Sequence, residues 1–176
     1  MKRIIALLLT LAVLAFTGCS KTQDNKNNEE QAPVVPTAYS ADLYITYKTK
    51  TIEGKYIQKA LGNSEIKFTA PRSLNGVSIK YEGTKCTFGY AGLSLSTDLS
   101  KIPETNIGKL MIESMQSAAQ DSSITKAKED NKWIYSGQTS GHEFIITQDA
   151  KTGFFESFEM PEYDFKAELR NFTVDE

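Results

Sequence analysis

The sequence predicts an α+β fold in which a strongly curved antiparallel sheet carries one main helix on its concave face. Three observations lead to this prediction. From Tyr39 onward, short runs alternate apolar and polar residues with a period of two. Clusters of turn-forming Gly, Asn and Asp separate these runs. Only one stretch, between Ile102 and Gln120, repeats its apolar residues at helical spacing.

The pattern predicts roughly nine or ten strands, each with one apolar and one polar face. In the clearest run, Ile66, Phe68 and Ala70 alternate with polar neighbours. Because successive side chains of a strand point to opposite faces, each run places its apolar residues on one side of the sheet. Similar apolar sets occur at Leu43-Ile45-Tyr47, Val77-Ile79-Tyr81, Cys86-Phe88-Tyr90, Trp133-Tyr135, Phe144-Ile146 and Tyr163-Phe165-Ala167-Leu169.

One amphipathic helix is predicted between Ile102 and Gln120. Pro103 is suited to open its first turn, and Ile107, Met111, Met115 and Ala118 recur at helical spacing. The two methionines could form an adaptable surface for an apolar ligand, although core packing is the commoner use of Met.

Composition limits the classes of function. The 176 residues suit one globular domain, which we expect at 39–176. A net charge of −2 gives no field that would hold a polyanion, so nucleic acid is not expected as a partner. One His and two Cys exclude a disulfide framework and a multi-Cys zinc site.

The N-terminus has the features of a secretory signal, assigned to residues 1–18. Two cations precede an apolar stretch from Ile4 to Phe16 that is shorter than the roughly 20 residues a transmembrane helix needs. The sequence Ala15-Phe-Thr-Gly-Cys19 resembles the bacterial lipobox, in which diacylglycerol is attached to the Cys and the peptide is cut before it. The resemblance implies a lipid-anchored Cys19, with an unmodified cysteine in an ordinary cleavage site as the alternative.

Residues 19–38 are predicted to comprise the lipidated Cys19 and a disordered tether. The segment from 20 to 38 is polar, contains Pro33 and Pro36 and has no aromatic residue, so burial would not offset its ordering entropy. We therefore expect an exported protein held by its acyl chains on the outer face of the cell membrane, or in the outer membrane of a two-membrane cell.

Several sequence features together resemble the LolA/LolB-like superfamily of lipoprotein carriers, which also includes sensors of the RseB type. They are the run from Phe68 to Tyr81, the helix, the Asp149-Ala-Lys-Thr-Gly153 hairpin and the closing Asn171-Phe172. The resemblance implies an open half-barrel of about eleven strands that binds acyl chains in a cavity beneath its helices.

The sequence predicts no enzyme, no cofactor and no metal site. His142 lies in a predicted strand without a nucleophile elbow, and Ile146 stands where a zincin motif needs its second His. Glu156 and Glu159 belong to an acidic cluster that we interpret as a solvated sheet edge, with these two on opposite faces. A buried Cys86 is expected to act as a small core residue.

Two functions from different classes remain open. The first is a membrane-anchored, non-catalytic module that binds an acyl chain, a lipopeptide or a lipoprotein segment in a half-barrel cavity. The second is an envelope interaction or sensor protein that binds a protein partner and whose cavity is filled by its own side chains. Candidate ligand-binding residues, each also suited to the core, are Phe68, Ile79, Tyr81, Phe88, Tyr90, Met111, Met115 and Trp133.

Overall fold

The structure, a computed structural model, describes residues 31–121 and 123–174. The predicted signal segment, Cys19 and the first part of the predicted tether therefore lie outside the described residues. Among the residues that the structure describes, no helix is both long and apolar enough to span a membrane.

The described residues form one antiparallel sheet of 11 strands in the order β6-β5-β4-β3-β2-β1-β11-β10-β9-β8-β7. Within the described residues one α-helix, α1 (Ile107–Gln120), lies in the connection between the two edges of this sheet. The strands are β1 (Tyr39–Tyr47), β2 (Lys50–Ala60), β3 (Asn63–Ala70), β4 (Ser78–Glu82), β5 (Lys85–Tyr90), β6 (Leu93–Asp98), β7 (Thr125–Glu129), β8 (Lys132–Thr139), β9 (His142–Asp149), β10 (Phe155–Met160) and β11 (Phe165–Thr173).

The topology consists of two meanders that meet at the centre of the sheet. Strands β1 to β6 run outward to one edge, and β7 to β11 return from the other edge until β11 pairs with β1. The connection between the edges must cross one face of the sheet, and α1 lies in that connection. The predicted class, an antiparallel sheet with one helix, is confirmed and is consistent with an open half-barrel.

The helix is shorter than the sequence predicted. It begins at Ile107 because Asn106 caps it, its side-chain Oδ1 accepting a hydrogen bond from the Lys109 backbone N–H at 3.0 Å. Pro103 lies before this cap, so the expectation that it opens the first turn was wrong. Gly108 is suited to its place because a Cβ there would lie 2.7 Å from the Tyr81 hydroxyl oxygen.

The core lies between α1 and the apolar face of the sheet. Met111 and Met115 are buried, and they face the apolar side chains of β10 and β11 across a cavity of about 10 Å³. Such a cavity has room for about one water molecule. The space beneath this face of the helix is therefore filled by side chains of the protein itself.

Two buried glutamines hold the segment that precedes β1. Gln58 lies on β2 and Gln148 on β9, strands that three others separate in the sheet. Their Nε2 atoms donate to the carbonyl oxygens of Pro36 (3.0 Å) and Pro33 (2.9 Å). One short segment therefore contacts both halves of the sheet order.

The same contacts move the start of the packed domain. The sequence placed residues up to 38 in a disordered tether and began the domain at Tyr39, whereas the compact unit begins at Ala32. Composition predicts disorder from a shortage of apolar side chains. Here the chain is held by its backbone carbonyl groups, which composition does not report, and by Ala32 and Val35, which pack against the core.

Candidate functional site

The apolar face of the sheet is only partly covered by α1. The helix contacts β8 and β9 and packs over apolar residues of β10 and β11. The strands β3 to β6, which we call the open half, continue the apolar face beyond the helix. Six of their side chains make up what we call the open face: Phe68, Ile79, Phe88, Tyr90, Leu93 and Leu95.

Strand register places these residues in a continuous row. Tyr56 pairs with Ile66, Ile66 with Ile79, Ile79 with Phe88, and Phe88 with Leu95. The exposed fraction rises along this row from 1% at Tyr56 and 2% at Ile66 to 69% at Leu95. The apolar face therefore passes without interruption from the core to the solvent.

The outermost residues of the open face are the most exposed. Tyr90 and Leu93 are cross-strand partners beside the β5–β6 turn and are 58% and 77% exposed. Ala91 and Gly92 form that turn with φ values of 50° and 82°, as a tight two-residue hairpin requires. Exposed apolar side chains grouped in this way mark an interaction surface, since solitary ones are common and these are contiguous.

The structure divides the eight candidate residues into two groups. Phe68, Ile79, Phe88 and Tyr90 lie together on the open face. The other four are buried in the core: Tyr81, Met111, Met115 and Trp133. Burial also raises the pKa of the Tyr81 hydroxyl well above its usual value, which keeps this group neutral.

Sequence reasoning missed Leu93 and Leu95. Both lie on β6, a strand that was not predicted. Together with the serines that follow them in the sequence, Ser94 and Ser96, they form a short period-two alternation. That Leu-Ser-Leu-Ser pattern was the available signal. It is weak because neither leucine is buried and only four residues carry it.

Strand β6 is also an edge of the sheet. Within the described residues its outer side has no strand partner, so its backbone N–H and C=O groups there are available for pairing. Its residues from Leu93 to Thr97 carry no charge. An uncharged edge beside an apolar face can accept both the backbone and the side chains of another chain.

The outer face carries ion pairs instead of a catalytic pair of carboxylates. Glu156 and Glu159 lie on the same face, contrary to the sequence prediction, because a β-bulge between Phe155 and Ser157 shifts the alternation. They pair with Lys132 (3.0 Å) and Lys166 (3.1 Å), respectively. Their strand β10 is internal, so the interpretation as a sheet edge was also wrong.

His142, the one histidine of the sequence, contacts the side chains of Glu162 and Tyr163. Nδ1 of His142 lies 2.9 Å from a carboxylate oxygen of Glu162, and its Nε2 lies 2.9 Å from the Tyr163 hydroxyl oxygen. No serine or cysteine nucleophile takes part in these contacts. Within the described ranges, no three His, Cys, Asp or Glu side chains converge as a metal site would require.

Comparison with known proteins concerns the fold. No family model and no curated protein sequence matches this chain. Among solved structures, an uncharacterized conserved protein from Thermus thermophilus is similar at 8% identity over 79% of each chain, with a TM-score of 0.53. This likeness supports the architecture of one curved antiparallel sheet with a helix.

Two further solved structures are similar at lower TM-scores. A LolA superfamily protein from Nitrosomonas europaea shares 9% identity over 80% of this chain and 87% of that chain, with a TM-score of 0.43. A chain in the complex of the CwlD amidase with the GerS lipoprotein from Clostridioides difficile shares 14% identity over 78% and 84%, with a TM-score of 0.44.

Proposed function

We propose that the protein is an exported, membrane-anchored lipoprotein that acts as a non-catalytic binding module for an apolar protein segment. The observation that carries this proposal is the open face next to the unpaired edge of β6. Leu93 and Leu95, at 77% and 69% exposed, offer apolar contact where the strand backbone is also available.

The filled space under the helix favours a protein partner over an enclosed lipid. A pocket that holds a small ligand usually measures several hundred Å³, whereas the cavity at Met111 and Met115 measures about 10 Å³. This supports the second of the two functions that the sequence left open. The anchor on Cys19 rests on the lipobox resemblance alone and lies outside the described residues.

An acyl chain is the second candidate ligand. The accessible end of the apolar row favours it, because the three adjacent strands that carry Ile79, Phe88 and Leu95 provide about 10 Å of apolar surface in one line. Such a ligand would lie along the open face and would be bound there, not beneath α1.

Site-directed photo-crosslinking in membranes tests the protein-binding function. A photoreactive residue replaces Ser94 on β6, and a matched one replaces Thr125 on the opposite edge strand, β7. We expect discrete crosslinked species from position 94 and few from position 125. Equal crosslinking at both edges would contradict the assignment.

Charge substitutions on β6 provide the matched control. Leu95→Lys should abolish the crosslinks from position 94, whereas Ser96→Lys adds the same charge to the other face of the strand and should leave them in place. Both positions are exposed, so we expect stability to change by no more than about 0.5 kcal/mol for either substitution. Solvent extraction and native mass spectrometry of both variants then test the second candidate: a bound acyl species lost only in the leucine variant would assign a lipid ligand.

A further inference from the structure

A groove at the C-terminal end of α1 holds residues 32–37, which belong to no helix or strand. We infer that this groove is a binding site for the backbone of an extended, proline-containing polypeptide segment, and that residues 32–37 fill it in cis. This site is distinct from the open face and does not depend on the function proposed for that face.

Two tyrosine–glutamine pairs provide the hydrogen-bond donors of the groove. The Tyr56 hydroxyl donates to Oε1 of Gln58 at 3.0 Å, and the Tyr135 hydroxyl donates to Oε1 of Gln148 at 2.5 Å. Each tyrosine therefore fixes its amide so that Nε2 points toward the bound segment. Gln58 and Gln148 are 4% and 0% exposed, and a buried amide requires partners for these donors.

The groove binds the segment by its carbonyl oxygens. Gln58 donates to the carbonyls of Pro36 and Thr37 at 3.0 and 3.3 Å, and Gln148 donates to that of Pro33 at 2.9 Å. The side chain of Val34, which is 89% exposed, contributes little to recognition. The groove therefore requires acceptors at fixed places, while Ala32 and Val35, which pack against the core, add apolar contact.

Proline at positions 33 and 36 suits this arrangement for two reasons. A polyproline II chain has three residues per turn, so the carbonyls of residues i and i+3 point to the same side. Proline also has no backbone N–H, so its burial leaves no unpaired donor. The site should therefore prefer a segment with two prolines three residues apart.

Small residues allow the segment to approach closely. Ala118 and Ala119 of α1 line the groove together with Leu61 and Lys126, and a cavity of about 250 Å³ remains beside the segment. Gly153 is required on the other side, because a Cβ there would lie 2.5 Å from the Val34 carbonyl oxygen and its φ is +77°.

The segment is not a strand of the sheet. It precedes β1 and takes no part in the ladder of the sheet, so in place of strand pairing two side chains hold its carbonyl groups. The same groups would meet the same segment offered by another chain. A partner of this chemistry would compete with residues 32–37 for the groove.

The test uses the full chain with residues 32–37 replaced by alternating Gly and Ser. The probe is a labelled peptide with the sequence of residues 31–38, and its binding is measured by fluorescence anisotropy and by the Tm of the protein. We expect saturable binding and a Tm that rises with peptide concentration, because a ligand of the native state stabilises it. Binding to the unaltered chain should be at least about tenfold weaker, because residues 32–37 compete in cis.

Subtle variants separate recognition from folding. Tyr56→Phe and Tyr135→Phe keep the shape of the side chains but remove the hydroxyl that orients each glutamine, and each should weaken the peptide about fivefold. Tyr44→Phe on the outer face is the matched control and should leave binding unchanged. A peptide with Gly in place of both prolines should also bind less tightly.

Two results would overturn the inference. One is that about 1 mM peptide neither binds to the chain with the Gly-Ser replacement nor raises its Tm. If that chain does not fold alone, the equivalent result is that the peptide does not restore its structure. The other is binding that neither the two hydroxyl removals nor the loss of both prolines weakens, because the groove would then not be the site of contact.

Discussion

The two halves of the sheet have the same alternating pattern but different surroundings. In the covered half, β7 to β11, Phe144 and Ile146 are 1% and 0% exposed. In the open half, β3 to β6, the same apolar face ends in Leu95 at 69%. The position of α1 accounts for the difference, because it reaches Tyr81 on β4 but leaves the outer end of the open half uncovered. A strand's pattern thus identifies its apolar face but not what covers that face.

The two edge strands also differ in how much charge they carry. Edge strand β7 reads Thr-Lys-Ala-Lys-Glu, and charge of this kind opposes pairing with another strand. Edge strand β6 begins Leu-Ser-Leu-Ser-Thr and carries its one charge, Asp98, at its end. The covered half therefore ends in an edge protected by charge, and the open half ends in one that is not.

Matched phenylalanine substitutions should give the largest difference between the halves. Phe144→Ala removes a buried ring that stacks on Phe158, with ring centroids 6.4 Å apart, and should lower the free energy of unfolding by about 3–5 kcal/mol. Phe88→Ala on the open face should cost about 1 kcal/mol, because its ring is only partly buried. Urea unfolding measures both, and equal losses would mean that the open face is as well packed as the core.

Met115→Ala tests whether the methionines of α1 bind ligand or support the core. Met115 is 4% exposed against β10 and β11, so we expect a loss of about 2–4 kcal/mol in the free energy of unfolding. Crosslinking from position 94 of the folded variant should be unchanged. Loss of crosslinking without loss of stability would reassign the ligand to the space beneath the helix.

Two glycine substitutions test how closely neighbouring strands approach each other. Gly54 lies on β2, beside the open half, and Gly89 lies on β5, within it. A Cβ at Gly54 would lie 2.5 Å from the Lys67 carbonyl oxygen on β3, so the strands must separate, and Gly54→Ala should cost about 1–3 kcal/mol. At Gly89 the nearest atom is the Ser78 hydroxyl oxygen at 2.6 Å, which can rotate away. Gly89→Ala should therefore change the Tm little, and the reverse order would contradict this account.

The smallest expected effect is the pH dependence of stability that comes from Glu104, whose carboxylate links Lys109 on α1 to Ser140 after β8. Hydrogen bonds from Lys109 (2.7 Å) and Ser140 (2.6 Å) hold the pKa of Glu104 below its usual value. Because the folded-state pKa is the lower one, this link stabilises the fold above the unfolded-state pKa, and the stabilisation is lost as the pH falls through the folded-state pKa.

Glu104→Gln tests this sign, because Gln keeps the size of the side chain and removes its charge. At pH 7 it should lower the Tm by at most about 2 °C, because the Glu104 carboxylate is largely exposed and Lys109 also lies 3.8 Å from Glu113. The difference from the unaltered chain should disappear at a pH where Glu104 is protonated in the folded protein. A difference that stays constant with pH would show that the carboxylate charge makes no contribution.

Much of the fold could be predicted from alternation, and the missed strands have physical reasons. Strand β2 places Gly54 and Gln58 on its buried face, which hides its period of two. Strand β7 has no buried residue, and β10 contains a bulge. In each case the backbone pairs as in any strand, while the side chains do not show the alternation that the prediction requires.

The candidate site was predicted only in part. Residues such as Phe88 and Met115 are equally apolar in the sequence, but one lies on the open face and the other on the buried face of α1. The path of the connection between β6 and β7 decides between them, and local spacing does not encode that path. The groove for residues 32–37 depends on carbonyl groups, which every residue has.

Because Cys86 on β5 is completely buried, the rate at which its thiol reacts can report how often the open half opens. Burial raises the pKa of the thiol, and a thiol reacts as an exposed thiolate, so Cys86 can be alkylated only when its surroundings open. In a Cys19→Ser chain, the alkylation rate then reports how often β4, β5 and β6 separate. A rate far above that of global unfolding would mean that this half of the sheet opens while the half under α1 stays closed.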